Sequence, residues 1–157
     1  MGFMTILHGD NRIYNNIFVQ DWPSEDFLIY HDTDDGIDME NRQVGTFVFD
    51  EDPSYEEWDA QFDRSVPADL AKLEPVHFGH LPVWSEGNIF LKGAKPSRHD
   101  KDTGGKACRL ITSDILGKAF EPEQRFEDPD GSAIVFDTDY YGNKRDGRII
   151  PGPFAQL

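Results

Sequence analysis

An asparagine pair, Asn15 and Asn16, interrupts a run of β-branched and aromatic residues in "RIYNNIFV", residues 12–19. Asparagine is depleted in strands, and a buried amide without partners is costly. The chain repeats the oddity in "EGNIFL", where Asn88-Ile89-Phe90 follows Asn16-Ile17-Phe18 at a distance of 72 residues. Stacked turns of a solenoid resolve the conflict. Equivalent positions there lie above one another, and an asparagine at a bend can bond to the backbone of the next coil. The alternative is a pair of ordinary hairpin strands, each with an asparagine at its turn. Spacing alone leaves both readings open.

The length of 157 residues fits one domain with a real core. Asp and Glu number 30 against 15 Lys and Arg, a formal net charge of -15. Such a field repels phosphate backbones and anionic bilayers, so neither nucleic acid nor a membrane is an expected partner. One cysteine, Cys108, cannot form an internal disulfide, and "MGFMTILHGD" lacks a basic stretch followed by a long apolar one. As written, the chain reads as cytoplasmic, a reading that an upstream signal would void. Aromatic residues make up 13% of the chain and 12 of them are Phe, which suits a β-rich core or a sugar-facing groove, the core being the stronger expectation.

Residues 5–19 read as two short strands around the corner "HGDN", and residues 27–30 as another. Residues 32–80 form an excursion that opens on "DTDDGIDMEN" and contains the strand candidate "GTFVFD". Within it Ser54 is placed to cap a helix carrying Tyr55, Trp58 and Phe62, and Pro67 to begin a turn. Strand character returns in "LPVWSEGNIFLKGAKP". "ACRLITSDILGKAF" reads as a strand containing a buried Cys108, then a helix capped near Ser113; "SAIVFDTDYY" reads as a further strand, and the tail is turn-rich. The organisation expected is a single mainly β domain, with coils at 1–31, the excursion at 32–80, and closing strands with a cap at 81–157.

"HGDNRIYNNIFV" resembles a rung of the right-handed parallel β-helix proteins that act on carbohydrates, and "LPVWSEGNIFLKGAKP" resembles the closing portion of such chains. The tail "FDTDYYGNKRDGRIIPGPF" is similar to their recurrent ending, with Asp139, Gly142, Asn143 and Arg145 in a D-x-x-G-N-x-R turn. Within this group the resemblance is to the β-xylosidases of glycoside hydrolase family 120. It touches roughly a third of the chain, and the family's members are several times longer. The resemblance therefore implies end coils of a partial right-handed parallel β-helix, an oligosaccharide substrate, and hydrolytic carboxylates that lie in upstream coils. A non-catalytic module with Trp22, Trp58 and Trp84 as a stacking platform is a second reading. A structural domain whose exposed coil end pairs into a homo-oligomer is the third.

Glycoside hydrolysis needs two carboxyl groups about 5 Å apart for retention and wider for inversion. Asp10, beside His8 and Arg12, and Glu86, two residues after Trp84, are the catalytic candidates; His8, Arg12 and Trp84 are the substrate-binding ones. A turn aspartate, a solvated edge glutamate and a salt-bridged surface cluster are the plainer readings of the same residues, and the stronger expectation for Asp10 and Glu86. Asp139 and Arg145 read as an ion pair pinning the terminal turn. No cofactor is expected. Counted from Asp32, Gly36 falls at position five and Gln43 at position twelve, so the acidic run fails the EF-hand pattern. An irregular Ca²⁺ site through Asp32, Asp34 and Asp35 is weaker than a solvated loop, and His77 with His80 lacks a third zinc ligand.

Overall fold

The computed structural model describes residues 9–21, 43–62, 79–105, 108–119, 123–146 and 148–155. Strand candidates at 5–7 and 27–30, the turn at Pro67, and the Asp32, Asp34 and Asp35 loop lie outside the described residues.

Four strands form: β1 (Asn11–Tyr14), β2 (Ile17–Val19), β3 (Val83–Glu86) and β4 (Ile89–Leu91). β1 pairs with β3 and β2 with β4, both in parallel. A hairpin would have paired its strands antiparallel, so that reading falls. Asn11 opposes Val83 and Ile17 opposes Ile89, and one offset of 72 residues therefore runs through both ladders and the bend between them. "RIYNNIFV" is accordingly two strands with a corner, not one.

The corner answers the asparagine question. Asn15 has φ 56° and its counterpart Gly87 has φ 71°, a left-handed conformation that glycine and asparagine adopt at least cost. One residue on, Asn88 is 0% exposed. Its Oδ1 accepts the Asn16 N–H at 2.8 Å, and its Nδ2 donates to the Ile13 carbonyl at 2.9 Å. The side chain thus replaces the ladder where the backbone turns away from it. Past the corner, Phe18 and Phe90 stack at 5.1 Å with an interplanar angle of 8°.

A third parallel contact joins Gly45 to Lys95. Gly45 has φ 138°, and a Cβ there would lie 2.0 Å from the Lys95 carbonyl oxygen, so a side chain is excluded. The expected strand in "GTFVFD" is instead a 3-10 turn, Phe47–Phe49. Side-chain and backbone acceptors of Asp50 are taken by Arg98, which curls the segment away from the ladder and overrides the strand preference of Phe and Val.

Helix α1 (Tyr55–Asp59) begins where expected. Ser54 Oγ accepts the Glu57 N–H at 3.2 Å, and Glu57 returns the bond to the Ser54 N–H at 2.7 Å, a full capping box. Arg98 grips both Glu57 carboxylate oxygens at 2.7 Å, and this bond, more than the cap, lowers the Glu57 pKa to about 2. With only five residues the helix depends on its ends. Ser54→Ala is expected to lower stability by about 1 kcal/mol in urea unfolding, with an unchanged m-value.

The core among the described residues is small in apolar terms and rich in polar groups. Val83, Ala94 and Ile111 are its buried apolar members; Thr46, Ser85, Asn88, Ser97 and His99 are buried with them. Asp100 links these groups. Its Oδ1 accepts from Ser85 Oγ and Asn88 Nδ2, and its Oδ2 from Thr46 Oγ1 and from the N–H and hydroxyl of Ser97. Every buried side-chain N or O of the described residues has a partner.

Helix α2 (Ser113–Leu116) follows Thr112 at its N-cap, but the strands expected on either side of it are absent among the described residues. "SAIVFDTDYY" makes only single bridges, Glu127 to Ala133, Thr112 to Val135 and Thr138 to Lys144. The Ser113 hydroxyl takes the Ile134 N–H, so a side chain occupies what a neighbouring strand would have supplied. Cys108 is half-buried outside any strand, its thiol donating to the Gly87 carbonyl. No helix among the described residues is long and apolar enough to cross a membrane.

Candidate functional site

Side chains alternate across a strand, so Arg12 and Tyr14 share one face of β1, while Trp84 and Glu86 share one face of β3. Arg12 opposes Trp84 and Tyr14 opposes Glu86 in the ladder. The other β3 face carries Val83 and Ser85 into the core. Parallel pairing at this register therefore brings together, on one side, three of the residues singled out in the sequence.

Arg12 is held on all sides. Its guanidinium lies 4.3 Å from the Trp84 ring centroid and 4.8 Å from that of Phe126. Nε donates to the Leu116 carbonyl and Nη2 to the Lys118 carbonyl, both at 2.6 Å, while Nη1 pairs with the Asp10 carboxylate. Only 9% of the side chain is exposed. The salt-bridged reading of Asp10 and Arg12 thus matches the geometry, with Arg12 sunk beneath the surface and the Trp84 indole packed against it.

Glu86 pairs with Arg109 at 2.8 Å. The Arg109 backbone is fixed from the corner, where Asn15 Nδ2 donates to its carbonyl at 2.9 Å. Burial raises the Tyr14 pKa, with Arg12 and Arg109 opposing the rise. Asp10 lies just before β1, and Glu86 ends β3. Each carboxylate has its own arginine. His8 and Trp22 lie outside the described residues. Trp58 packs with Tyr55 and Phe62 on and beside α1.

The tail closes this side. Gly152 N–H bonds to the Asn15 carbonyl at 2.7 Å, bringing the end of the chain onto the corner. The expected Asp139–Arg145 ion pair is not how the turn is held. Asp139 accepts the N–H groups of Tyr141, Asn143 and Ala155, while Arg145 donates to the carbonyls of Thr138, Ile150 and Gly152. Each satisfies backbone groups that the irregular tail leaves unpaired, a use that the D-x-x-G-N-x-R spacing does not distinguish from a direct pair.

Between the corner and the tail lies a cavity of about 640 Å³. Arg12, Tyr14 and Asn16 line it from the ladder side, Arg109 from the segment before α2, and Phe136 and Arg145 from the tail segments. Tyr14 and Arg109 were not legible as site residues, because only the ladder and the folded tail bring them to a common space. Among the described residues no cluster of His, Cys, Asp and Glu is arranged to hold a metal ion, and His80 pairs with Asp52.

No protein-family model matches the chain, and no curated protein matches it in sequence. Among solved structures it is similar to XylC, described in complex with xylose, with a TM-score of 0.65 and 24% identity. The likeness covers 95% of this chain and 25% of XylC, so the chain spans about a quarter of that protein's length. At that identity the likeness establishes the fold: small parallel sheets with a few short helices, as in part of XylC.

Proposed function

We propose that this chain forms end coils and a cap of a right-handed parallel β-helix glycosidase of the β-xylosidase type, and supplies one wall of its sugar site. The observation that carries the reading is the constant 72-residue offset through two parallel ladders and an asparagine-bonded corner, in a chain whose fold is similar to part of XylC. XylC is described with xylose, which supports a pentose-bearing ligand. Hydrolysis requires one carboxyl group to protonate the leaving oxygen and a second to attack the anomeric carbon or activate water. Asp10 and Glu86 each pair with an arginine of their own, which favours a wall over a complete centre.

Two measurements on the folded chain test this. Xylobiose is expected to shift amide resonances around the corner and tail, and aryl β-xylosides are expected to release no aryl alcohol. A chain untouched by xylobiose would remove the glycan reading. Turnover abolished by Asp10→Asn or Glu86→Gln would instead place the acid/base machinery within these residues and overturn the end-coil role. The stacking-platform alternative has less support, since the Trp84 ring lies against the Arg12 guanidinium and Trp58 against Phe62.

A further inference from the structure

The cavity between the corner and the tail is lined by Arg12, Arg109 and Arg145 and by no aspartate or glutamate among the described residues, in a chain of formal net charge -15. Three arginines around one space run against the charge of the molecule. Arg145 donates only to neutral carbonyls, which orient its charge without cancelling it. Arg12 is opposed by Asp10, which does not line the cavity. Arg109 is half-exposed and bonds through one Nη to Glu86, while its other N–H groups have no acceptor among the described residues. A fork of that kind matches a carboxylate in two parallel hydrogen bonds.

The remaining lining supplies what a sugar ring needs. Tyr14 and Asn16 offer polar groups, and Ile111, Leu116 and Phe136 offer apolar surface for the ring's C–H face. The volume of about 640 Å³ suits one or two sugar units. A phosphate or a polyanion would meet the repulsion of the whole acidic molecule more strongly than a single carboxylate does.

We propose that this cavity is a subsite for a carboxylate-bearing sugar, a uronic acid carried on a short oligosaccharide, with Arg109 as the group that grips the carboxylate. The assignment deepens the glycan reading and rests on it. Glu86 then acts as a competitor that holds Arg109 when the subsite is empty.

Calorimetric titration of the intact chain at low ionic strength, with a glucuronic-acid-substituted xylobiose, xylotriose and acetate as separate probes, tests the assignment. The acidic trisaccharide is expected to bind at least tenfold tighter than xylotriose. Arg109→Gln is expected to erase that advantage, and Glu86→Gln, by freeing the arginine, to strengthen acidic-sugar binding severalfold. Thermal unfolding confirms that each variant is folded, and the gain from Glu86→Gln is one that a merely structural pair would not produce. Equal binding of the acidic and neutral sugars overturns the subsite and leaves the glycan reading standing. Acetate binding as tightly as the acidic sugar also overturns it, by reducing the cavity to an anion site. Binding of neither sugar overturns both readings.

Discussion

Asn88→Ala is expected to lower the unfolding free energy by about 2 to 4 kcal/mol. The residue is 0% exposed and serves both coils at once. Removing its amide leaves the Asn16 N–H without its acceptor, and takes one bond each from the Ile13 carbonyl, Ser85 Oγ and Asp100. A partly buried backbone group left unpaired costs about 1 to 3 kcal/mol. Alanine also opens a void, since the packed interior does not close over a missing side chain. Against a total stability of about 5 to 15 kcal/mol this is a large fraction. The check is urea unfolding followed by circular dichroism. Asn16→Ala is the internal comparison: its side-chain amide donates to the Tyr14 carbonyl at 3.0 Å and to Asn88 Oδ1 at 3.3 Å from an exposed position, and its loss is expected to cost under about 1 kcal/mol. Equal losses from the two variants would refute the ladder role of Asn88.

Asp100→Asn is expected to cost about 2 to 4 kcal/mol at neutral pH and to remove part of the acid sensitivity of the fold. Burial pushes the Asp100 carboxyl up, but hydrogen bonds from Ser85, Thr46, Asn88 and the Ser97 backbone outweigh it and hold the pKa below the ordinary value. The unfolded chain therefore binds this proton at a higher pH than the folded one. The stabilisation from this group is complete above the unfolded pKa of about 3.9 and is lost as pH falls through the lower folded value. An asparagine cannot titrate, and its NH₂ would face donors on at least one side. A plot of unfolding free energy between pH 6 and pH 2, each value taken on the scale of about 1.4 kcal/mol per tenfold change, is expected to fall less steeply for the variant below about pH 4. Identical acid limbs for the two proteins would show that Asp100 is not a linked group.

Local rules were readable where a few neighbouring residues decide the outcome. The Ser54 and Glu57 capping box needs only the spacing of an acceptor and a returning carboxylate, and α1 forms there. They failed where a partner from elsewhere sets the backbone. In "GTFVFD" the apolar residues favour a strand, yet Arg98 takes the Asp50 acceptors and the segment turns. In "SAIVFDTDYY" the Ser113 hydroxyl and the tail supply the bonds, so only single bridges remain. The equivalence of Asn15 with Gly87, by contrast, was present in the sequence as "NNIF" against "GNIF", since both residue types tolerate a left-handed bend.

The sequence by itself marked two copies of Asn-Ile-Phe, whose asparagines need hydrogen-bond partners wherever they are buried. It also determined the acidity that disfavours polyanionic partners. Only the tertiary structure decided that the copies stack in parallel at a 72-residue offset, and that Arg12, Arg109 and Arg145 surround one cavity. The physical reason is range. Backbone conformation is set by contacts within a few residues, whereas a shared cavity depends on long chain closures, and a single arginine carries no mark of which carbonyl or carboxylate it will meet.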